Sequence, residues 1–428
     1  MTARQVRFRY LTLLGLRWLP VGLLIPVFVL LALERGLGIA EIGSVVAIQG
    51  IVVLLLELPT GGFADAFGRR PVLLVAGLIN LIALALFLVA DSVLLLGLSY
   101  LLQGIYRALE SGPLESWFVD QSLAADPDAD IEAGLSQGGT VSSLAIAGTA
   151  LISGGLVWLG PIGLGPLGEL SALTVPVLVA LVLSLAATVA VALLMTEERP
   201  AKGKAAFVTS LRGVPVAVVS ALALARRSRV VLALISVEFL WSFGMVTFEQ
   251  LMPVRLSEVT SMAGELTGPV SSAAWGAAAA GSALIPLLTR KLGARWTGFA
   301  LRIGQGLAVA GMGLLAGPAG VIGAFLICYT VHGASNPVHA GLLHRQVDGE
   351  YRTSLLSLNS MVGQPGFALG SIVLTAVAAQ AGTPAAIVTG AVVLAVAAPL
   401  YLVKARTGSS GMEFREQPSP GTSLSQAL

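Results

Sequence analysis

The chain has 428 residues, of which 56% are hydrophobic and only 11% are charged, and its mean hydropathy is +0.88. Because soluble globular proteins are about 25% charged, this composition excludes a water-soluble enzyme, a nucleic-acid-binding protein and a disordered scaffold. The 25 basic and 23 acidic side chains leave a net charge of +2, and a single cysteine excludes an internal disulfide and cysteine-based metal sites.

Apolar runs long enough to cross a bilayer recur along the whole chain. A membrane helix needs roughly 20 apolar residues to cross about 30 Å of hydrocarbon. The runs lack the dyad alternation that a transmembrane barrel requires. The sequence therefore predicts an all-α polytopic membrane protein with twelve transmembrane helices. The predicted spans are 10–33, 39–59, 72–90, 93–118, 137–160, 169–195, 230–254, 266–289, 297–317, 319–343, 354–380 and 383–404.

The basic residues are distributed unevenly among the predicted loops. With the N-terminus inside, the inner segments carry 20 Lys and Arg, whereas the outer loops carry only Arg35 and Arg255. Cytoplasmic loops of membrane proteins are enriched in basic residues. We therefore expect a multi-pass protein of the cell (inner) membrane with both termini in the cytoplasm.

A basic, polar segment divides the spans into two groups of six that resemble each other. Aligning FGRR at 67–70 with LGAR at 292–295 gives an offset of 225 residues, which also carries span 1 onto span 7 and span 4 onto span 10. Two pseudo-symmetric halves are typical of transporters with a substrate site between them. The predicted organisation is an N-terminal half (1–195), a basic cytoplasmic linker (196–229), a C-terminal half (230–405) and a disordered cytoplasmic tail (406–428).

The loop after span 2 carries a recognisable motif. Its sequence TGGFADAFGRRPVLL resembles the G-x-x-x-D-R-x-G-R-R signature between helices 2 and 3 of the major facilitator superfamily. Ala66 departs from it, since the family usually has a basic residue there. The resemblance implies the major facilitator fold. The matching residues are Gly61, Asp65, Gly68, Arg69 and Arg70.

Three further segments are similar to bacterial drug-exporter-like members of that superfamily, the drug:proton antiporters. RALESGPLESWFVD at 107–120 resembles their span-4 segment, and YRTSLLSLNSMVGQPGFALG at 351–370 resembles the start of their helix 11. The glycine-rich segment 147–155 is a looser relative of their antiporter motif, because Gly148-Thr149 stands where that motif has Gly-Pro.

Ionisable residues inside the spans are candidate functional groups, because charges are costly in a bilayer. Gln103, Arg107 and Glu110 are spaced i, i+4 and i+7 on one face of span 4, which the family resemblance turns towards the central cavity. Arg107 and Glu110 are close enough to pair, and loss of that pairing would promote protonation of Glu110. The alternative is a permanent ion pair that stabilises the bundle. Arg17 in span 1 is expected to pair with an acid such as Glu238 or Glu110.

The C-terminal half offers a matching set of polar residues. His332, Asn336 and His339 have the same spacing in span 10, and the repeat places His332 opposite Arg107 across the cavity. His332 is a candidate proton site or substrate contact, and the alternative is an ordinary hydrogen-bonded histidine. Glu238 in span 7 has aromatic neighbours and suits a lipophilic cation, unless those rings only pack against neighbouring helices.

The resemblance also implies a latch at the cytoplasmic gate, formed by the span 2–3 motif and the inner end of span 4. Asp65 would lie near the N-terminal end of helix 11, where the helix dipole favours an anion. Arg69 would pair with Asp120, and Glu115 would join them. Gly61, Gly68 and Arg70 complete this set.

These features predict a secondary active transporter that exports small, partly apolar compounds in exchange for protons by alternating access. The sequence carries no phosphate-binding Gly-x4-Gly-Lys-Ser/Thr motif, so ATP is not expected as the direct energy source. The alternatives are an uptake symporter for a metabolite, a polytopic membrane enzyme acting on lipid and a non-transporting sensor. The expected partners are a small-molecule substrate, protons and the lipid bilayer. No enzymatic activity, cofactor, metal or nucleic acid is expected, and the resemblance favours a monomer.

Overall fold

The computed structural model describes residues 1–163, 169–197, 228–346 and 351–404. The N-terminal part contains eight helices and a two-residue hairpin in which Ile162 pairs with Leu170 and Gly163 with Glu169. These elements are α1 (Ala3–Leu24), α2 (Phe28–Glu34), α3 (Ile39–Phe67), α4 (Arg69–Val89), α5 (Val93–Glu110), α6 (Pro113–Ala125), α7 (Ile131–Trp158), β1 (Ile162–Gly163), β2 (Glu169–Leu170) and α8 (Val175–Leu194).

The C-terminal part is helical in all its described segments. Its last α-helix continues into a short 3₁₀-helix, Ala398–Leu402. The α-helices are α9 (Arg229–Glu249), α10 (Leu251–Val259), α11 (Ala263–Ala283), α12 (Ile285–Leu292), α13 (Ala294–Leu314), α14 (Gly317–His344), α15 (Tyr351–Ala381) and α16 (Thr383–Val396).

Four of the predicted spans are each built from two helices: α1–α2, α5–α6, α9–α10 and α11–α12. A proline lies at or near the start of the second helix in each pair, at Pro26, Pro113, Pro253 and Pro286. Proline lacks the N–H that would continue the ladder and clashes with the preceding turn. The breaks therefore have a local cause. Counting each pair as one leaves twelve helical segments in the described ranges.

Length and apolarity alone identify nine of these described segments as able to cross a membrane, or ten if the bent pair α11–α12 is one span. The other two are α5–α6 and α13. They carry the charged residues Arg107, Glu110 and Arg302. The prediction of an all-helical polytopic protein is confirmed.

Each half has its own hydrophobic clusters, and the halves meet along α3 with α15 and α7 with α11. The α7–α11 contact is so close that a Cβ added to Gly154 would meet Cδ of Pro269 and the carbonyl oxygen of Glu265. It lies near the ends of the helices that lead into the 160–174 and 260–262 connections. The halves therefore pack tightly where this end of α7 meets the start of α11.

The turns that follow α3 and α12 have the same backbone geometry. Gly68 has φ 92° and ψ 150°, and Gly293 has φ 77° and ψ 153°. Only glycine adopts this region without strain, and the two positions are separated by the offset of 225 seen in the sequence. Most of the predicted linker (196–229) and all of the predicted tail (406–428) lie outside the described residues, so those boundaries stay predictions.

Arginine side chains fasten the ends of two helices. Arg35 donates hydrogen bonds to the carbonyl oxygens of Phe87, Leu88 and Ala90 at 2.7–2.8 Å, at the C-terminal end of α4. Helix carbonyls at that end lack intrahelical partners and carry partial negative charge. Burial lowers the pKa of Arg35 from its ordinary value, because desolvation disfavours the charged form. At the opposite side Arg9 donates to the carbonyl oxygen of Leu194, near the end of α8.

Candidate functional site

A cavity of about 570 Å³ lies between the two halves. Small-molecule sites typically occupy about 300–1,000 Å³, so this volume suits an organic ligand. Its ionisable lining residues are Arg17, Arg107 and Glu110 from the N-terminal half and Glu238 and Glu249 from the C-terminal half. Its aromatic lining residues are Trp18, Phe28, Phe87, Tyr100, Tyr106, Trp241, Trp275 and Phe367.

An ion pair is buried at the edge of this cavity. Arg17 of α1 pairs through Nε with Oε1 of Glu110, whose side chain is only 6% exposed. The guanidinium also lies 4.8 Å from the ring centroid of Trp18, a cation–π contact. Glu110 is the last residue of α5, directly before the break at Gly112, where φ is +91°. The break ends the helix with this carboxylate facing α1.

The predicted pairing of Arg107 with Glu110 is therefore replaced by one with Arg17. Arg107 is exposed in the cavity and forms no hydrogen bond or ion pair with any residue in the described part of the chain. Instead it interacts electrostatically with Glu57 of α3 and with Glu249 of α9. The reason is directional: Glu110 is buried against α1, whereas Arg107 points into open space.

A second, smaller cavity of about 50 Å³ lies behind Glu110, between α1, α4, α5 and α8. Asn80, Ser184 and Thr188 contribute polar groups to its wall. Asn80 accepts a hydrogen bond from Gln103 at 3.1 Å and donates one to Ser184 at 3.4 Å. A space of this size has room for about one or two water molecules beside these polar groups. Glu110 therefore faces both the central cavity and a small, mainly apolar space inside the N-terminal half.

Glu249 and Gln250 present acceptors from the other wall. Glu249 accepts a hydrogen bond from the hydroxyl of Tyr329 at 2.9 Å. Gln250 donates from Nε2 to Oγ of Ser371 at 2.7 Å, and its buried Oε1 has no hydrogen-bond partner among the described residues. Both residues line the central cavity. Glu249 therefore offers a ligand an acceptor on this wall, and the buried Oε1 of Gln250 is an unsatisfied acceptor beside it.

Glu238 stands at the head of a polar chain in the C-terminal half. Its carboxylate is hydrogen-bonded to Asn359 and Ser242, and Oε2 lies 3.6 Å from Nε2 of His339. The imidazole of His339 also contacts Asn359 Oδ1 at 3.1 Å and the Tyr401 hydroxyl at 3.0 Å. His339 is thus held inside the half, and it is not among the residues that line the cavity.

Arg302 of α13 completes this chain. It is 1% exposed, donates to Oε1 of Gln305 at 2.5 Å and is hydrogen-bonded to Tyr401. Its guanidinium lies 5.0 Å from the ring centroid of Trp241, which lines the cavity. A buried cation is tolerated only when its donors are satisfied. Arg302 meets that condition only in part, because its buried Nε has no hydrogen-bond partner among the described residues.

Two halves of six helical segments around one central cavity are shared with known transporters. The model of the Major Facilitator Superfamily matches residues 11–364. This chain belongs to the major facilitator superfamily. It is accordingly a multi-pass membrane transporter and not an enzyme, and its predicted fold is confirmed.

Solved structures show the same superfamily fold. The nucleoside transporter NupG has a TM-score of 0.76 at 13% identity, covering 93% of this chain and 98% of that one. A peptide transporter POT in complex with sulfate has a TM-score of 0.71 at 13% identity, covering 93% and 94%. An uncharacterized MFS-type transporter of Bacillus subtilis (strain 168), YxaM, is 27% identical over 103 residues. That match spans 24% of this chain and 26% of YxaM.

The superfamily motif forms part of a contact between the first turn of α4 and α6. Arg69 Nη2 lies 2.6 Å from Oδ2 of Asp120, and Nη1 donates to the carbonyl oxygen of Ser116 at 2.9 Å. The backbone N–H of Arg70 donates to Glu197 at 2.9 Å, just beyond the end of α8. The motif therefore ties the start of α4 to α6 and α8 within the N-terminal half.

Other members of the predicted latch set lie elsewhere. Glu115 is exposed on α6 and interacts electrostatically with Arg17 rather than joining Arg69. Gly61 and Asp65 belong to α3, but the predicted contact of the Asp65 side chain with helix 11 falls outside the described residues.

The repeat predicted that the polar face of span 10 lines the cavity, with His332 opposite Arg107, and the structure places this face elsewhere. His332 lies among Trp241, Phe248 and Tyr329, with ring centroids 5.2–5.6 Å from its own, and neither it nor Asn336 lines the cavity. The ring of Trp241 stands between His332 and the cavity, because both α9 and α14 carry large aromatic side chains at this level. Glu249 therefore takes the position opposite Arg107 that was expected of His332.

Sequence reasoning also missed several groups. Arg302 was visible as a charge inside a predicted span, and Glu249 as a second acid in span 7. Tyr401, Asn359 and Gln250 gave no such signal, since uncharged polar residues are common in membrane helices.

Proposed function

We propose that this chain is a proton-coupled secondary transporter that exports small, partly apolar compounds by alternating access. The buried pair of Arg17 and Glu110 at the edge of the central cavity is the observation that carries the proposal. An intramembrane carboxylate held by a single cation is suited to exchange that cation for a proton. The direction of transport rests on the resemblance of 107–120 and 351–370 to drug exporters.

The proton step follows from the surroundings of Glu110. Deprotonated Glu110 binds Arg17, and protonation removes its charge and releases the guanidinium. Arg17 from α1 and Arg107 from α5 are the cations near it, while Asn80 and Ser184 supply neutral groups. The small inner cavity beside Glu110 leaves room for a water molecule that could exchange the proton. Protonation of Glu110 and substrate binding in the central cavity are then coupled through the charges that line the cavity.

The remaining assignments extend this proposal. The protein lies in the cell (inner) membrane as a monomer, with both termini in the cytoplasm. The contact of Arg69 with Asp120 belongs to the cytoplasmic gate and controls the conformational step rather than substrate choice. The rocking units are 1–195 and 230–405, joined by the 196–229 linker.

Substrate-dependent proton movement tests the proposal with a panel of compounds rather than one chosen substrate. Purified protein is reconstituted into liposomes that contain a pH-sensitive dye, and amphiphilic cations, anions, zwitterions and neutral compounds are added outside in turn. Under exchange, an entering substrate drives protons out and the lumen becomes alkaline. Under symport the lumen becomes acidic. The sign of the change thus separates the exporter from the uptake symporter.

Glu110→Gln is the decisive variant. It should abolish substrate-dependent proton movement while retaining exchange of labelled substrate across the membrane, since exchange needs no net proton transfer. Glu132→Gln, an exposed acid at the start of α7, is the matched control and should behave as the wild type. Full proton movement in Glu110→Gln would refute the assignment.

A further inference from the structure

The three arginines inside the helical segments are not equally compensated. Arg17 is paired with Glu110, and Arg302 is hydrogen-bonded to Gln305 and Tyr401. Arg107 is exposed in the cavity and has neither kind of partner among the described residues. Guanidinium groups bind carboxylates through two parallel hydrogen bonds. A ligand carboxylate is the partner that Arg107 lacks.

The cavity wall formed by the C-terminal half carries groups that suit a cation. Glu249 accepts one hydrogen bond among the described residues, from the hydroxyl of Tyr329. The buried Oε1 of Gln250 accepts no hydrogen bond from any described residue. Gln250 is only 1% exposed and is fixed by Ser371, so its free oxygen is held in place. Trp275, whose ring lies 6.4 Å from that of Tyr329, adds an aromatic face to the same wall. A carboxylate acceptor and a ring face suit a primary ammonium group.

The two walls also constrain each other. Arg107 and Glu249 interact electrostatically across the cavity. A ligand with a single charge would compensate one wall and weaken the compensation of the other in a region of low dielectric, where, among the described residues, Arg107 would keep only Glu57 of α3 as an electrostatic partner. A ligand with both charges compensates both. The volume of about 570 Å³ leaves room for an apolar body beside Trp241 and Phe367.

We infer that the transported compound is an amphiphilic zwitterion whose carboxylate binds Arg107 and whose ammonium group binds Glu249. The inference rests on the proposed function, because it names the substrate class of the same cavity. It differs from the lipophilic cation that Glu238 and its aromatic neighbours suggested, since Glu238 is already engaged by Asn359 and Ser242.

A matched charge series tests this with purified protein and no ion gradient. The probes are aromatic amino acids and aromatic dipeptides, each compared with its C-terminal amide, a monocation, and its N-acetyl derivative, a monoanion. Binding is followed by the tryptophan fluorescence of the cavity and by thermal stabilisation. Each zwitterion should bind at least about tenfold more tightly than its C-terminal amide and than its N-acetyl derivative.

Variants of the two walls should change this selectivity in opposite senses. Arg107→Gln should weaken the zwitterion at least about tenfold and erase its preference over the amide. Glu249→Gln should erase its preference over the N-acetyl form. Arg255→Gln, which removes a cation paired with Glu258 outside the cavity, should leave affinities unchanged and shows that the fold tolerates loss of an arginine.

Tightest binding by the amides or by the N-acetyl compounds overturns the inference, as does a zwitterion affinity that survives Arg107→Gln. Failure of every zwitterion to bind, while another charge class drives proton movement in liposomes, overturns it and leaves the proposed function standing. If the zwitterions bind but drive no proton movement, the inferred substrate class is supported and the proposed proton coupling is refuted.

Discussion

Replacing Gly268 with alanine should separate the two halves on the side where they touch. A Cβ at this position would meet the backbone N and Cα of Gly154 and the carbonyl oxygen of Ala150. All three contacts are backbone atoms of α7, which cannot rotate away as the end of a flexible side chain does. The added methyl group therefore destabilises the conformation in which α7 and α11 pack together.

The size of the effect follows from the closeness of that contact. Overpacking a well-packed contact costs about 1–3 kcal/mol. A conformation in which α7 and α11 have separated does not bear this cost. A difference of that size changes the ratio of the two conformations by about 5- to 150-fold. The substitution should thus convert a dominant conformation into a minor one or an equal mixture.

Pulsed electron paramagnetic resonance measures this ratio directly. Spin labels are attached to cysteines at the exposed positions Leu159 and Met262, which flank the contact, while the native Cys328 is buried. Gly268→Ala should raise the long-distance population. Gly276→Ala on the same helix should not, since a Cβ there meets nothing within 4 Å. Indistinguishable distance distributions for the two variants would refute the reasoning.

Three further outcomes are expected. Arg302→Met should lower the free energy of unfolding by about 3 kcal/mol, because Gln305 and Tyr401 lose a buried charged partner; thermal unfolding in detergent checks this against the exposed Arg290→Met. Arg69→Ala should slow turnover several-fold without changing substrate preference, because its contact with Asp120 lies outside the cavity; an altered substrate profile counts against the gate assignment. Arg35→Gln should lower stability by about 2 kcal/mol through loss of the charged hydrogen bonds to α4. Because arginine stays charged between about pH 5 and 9, that loss should be constant over this range, and a pH-dependent melting difference would contradict it.

The sequence predicted the features that depend on local chemistry. Apolar length placed the spans, and the offset of 225 residues anticipated the equivalent turns at Gly68 and Gly293. Arg17, Arg107, Glu110 and Glu238 were all identified as cavity candidates, since a charge in a long apolar run stands out whatever its neighbours in space.

What the sequence left open was which side chains meet across helices. Spacing along α5 puts Arg107 and Glu110 on one face, but the break at Gly112 and the approach of α1 decide that Glu110 pairs with Arg17. The repeat likewise placed His332 opposite Arg107. The bulk of Trp241, which has no counterpart in the pattern of charges, separates His332 from the cavity.

The three arginine–carboxylate ion pairs and the His339–Glu238 contact of the described residues each lie within one half of the molecule. Arg17–Glu110 and Arg69–Asp120 belong to the N-terminal half, and Arg255–Glu258 and His339–Glu238 to the C-terminal half. The seam between the halves contains close approaches such as Gly154 to Gly268, a hydrogen bond from Ser360 to Glu57, and the electrostatic interaction of Arg107 with Glu249. Salt weakens charge pairs but not contacts between uncharged atoms. The equilibrium between the two access states is therefore expected to depend on salt mainly through the interaction of Arg107 with Glu249 across the cavity.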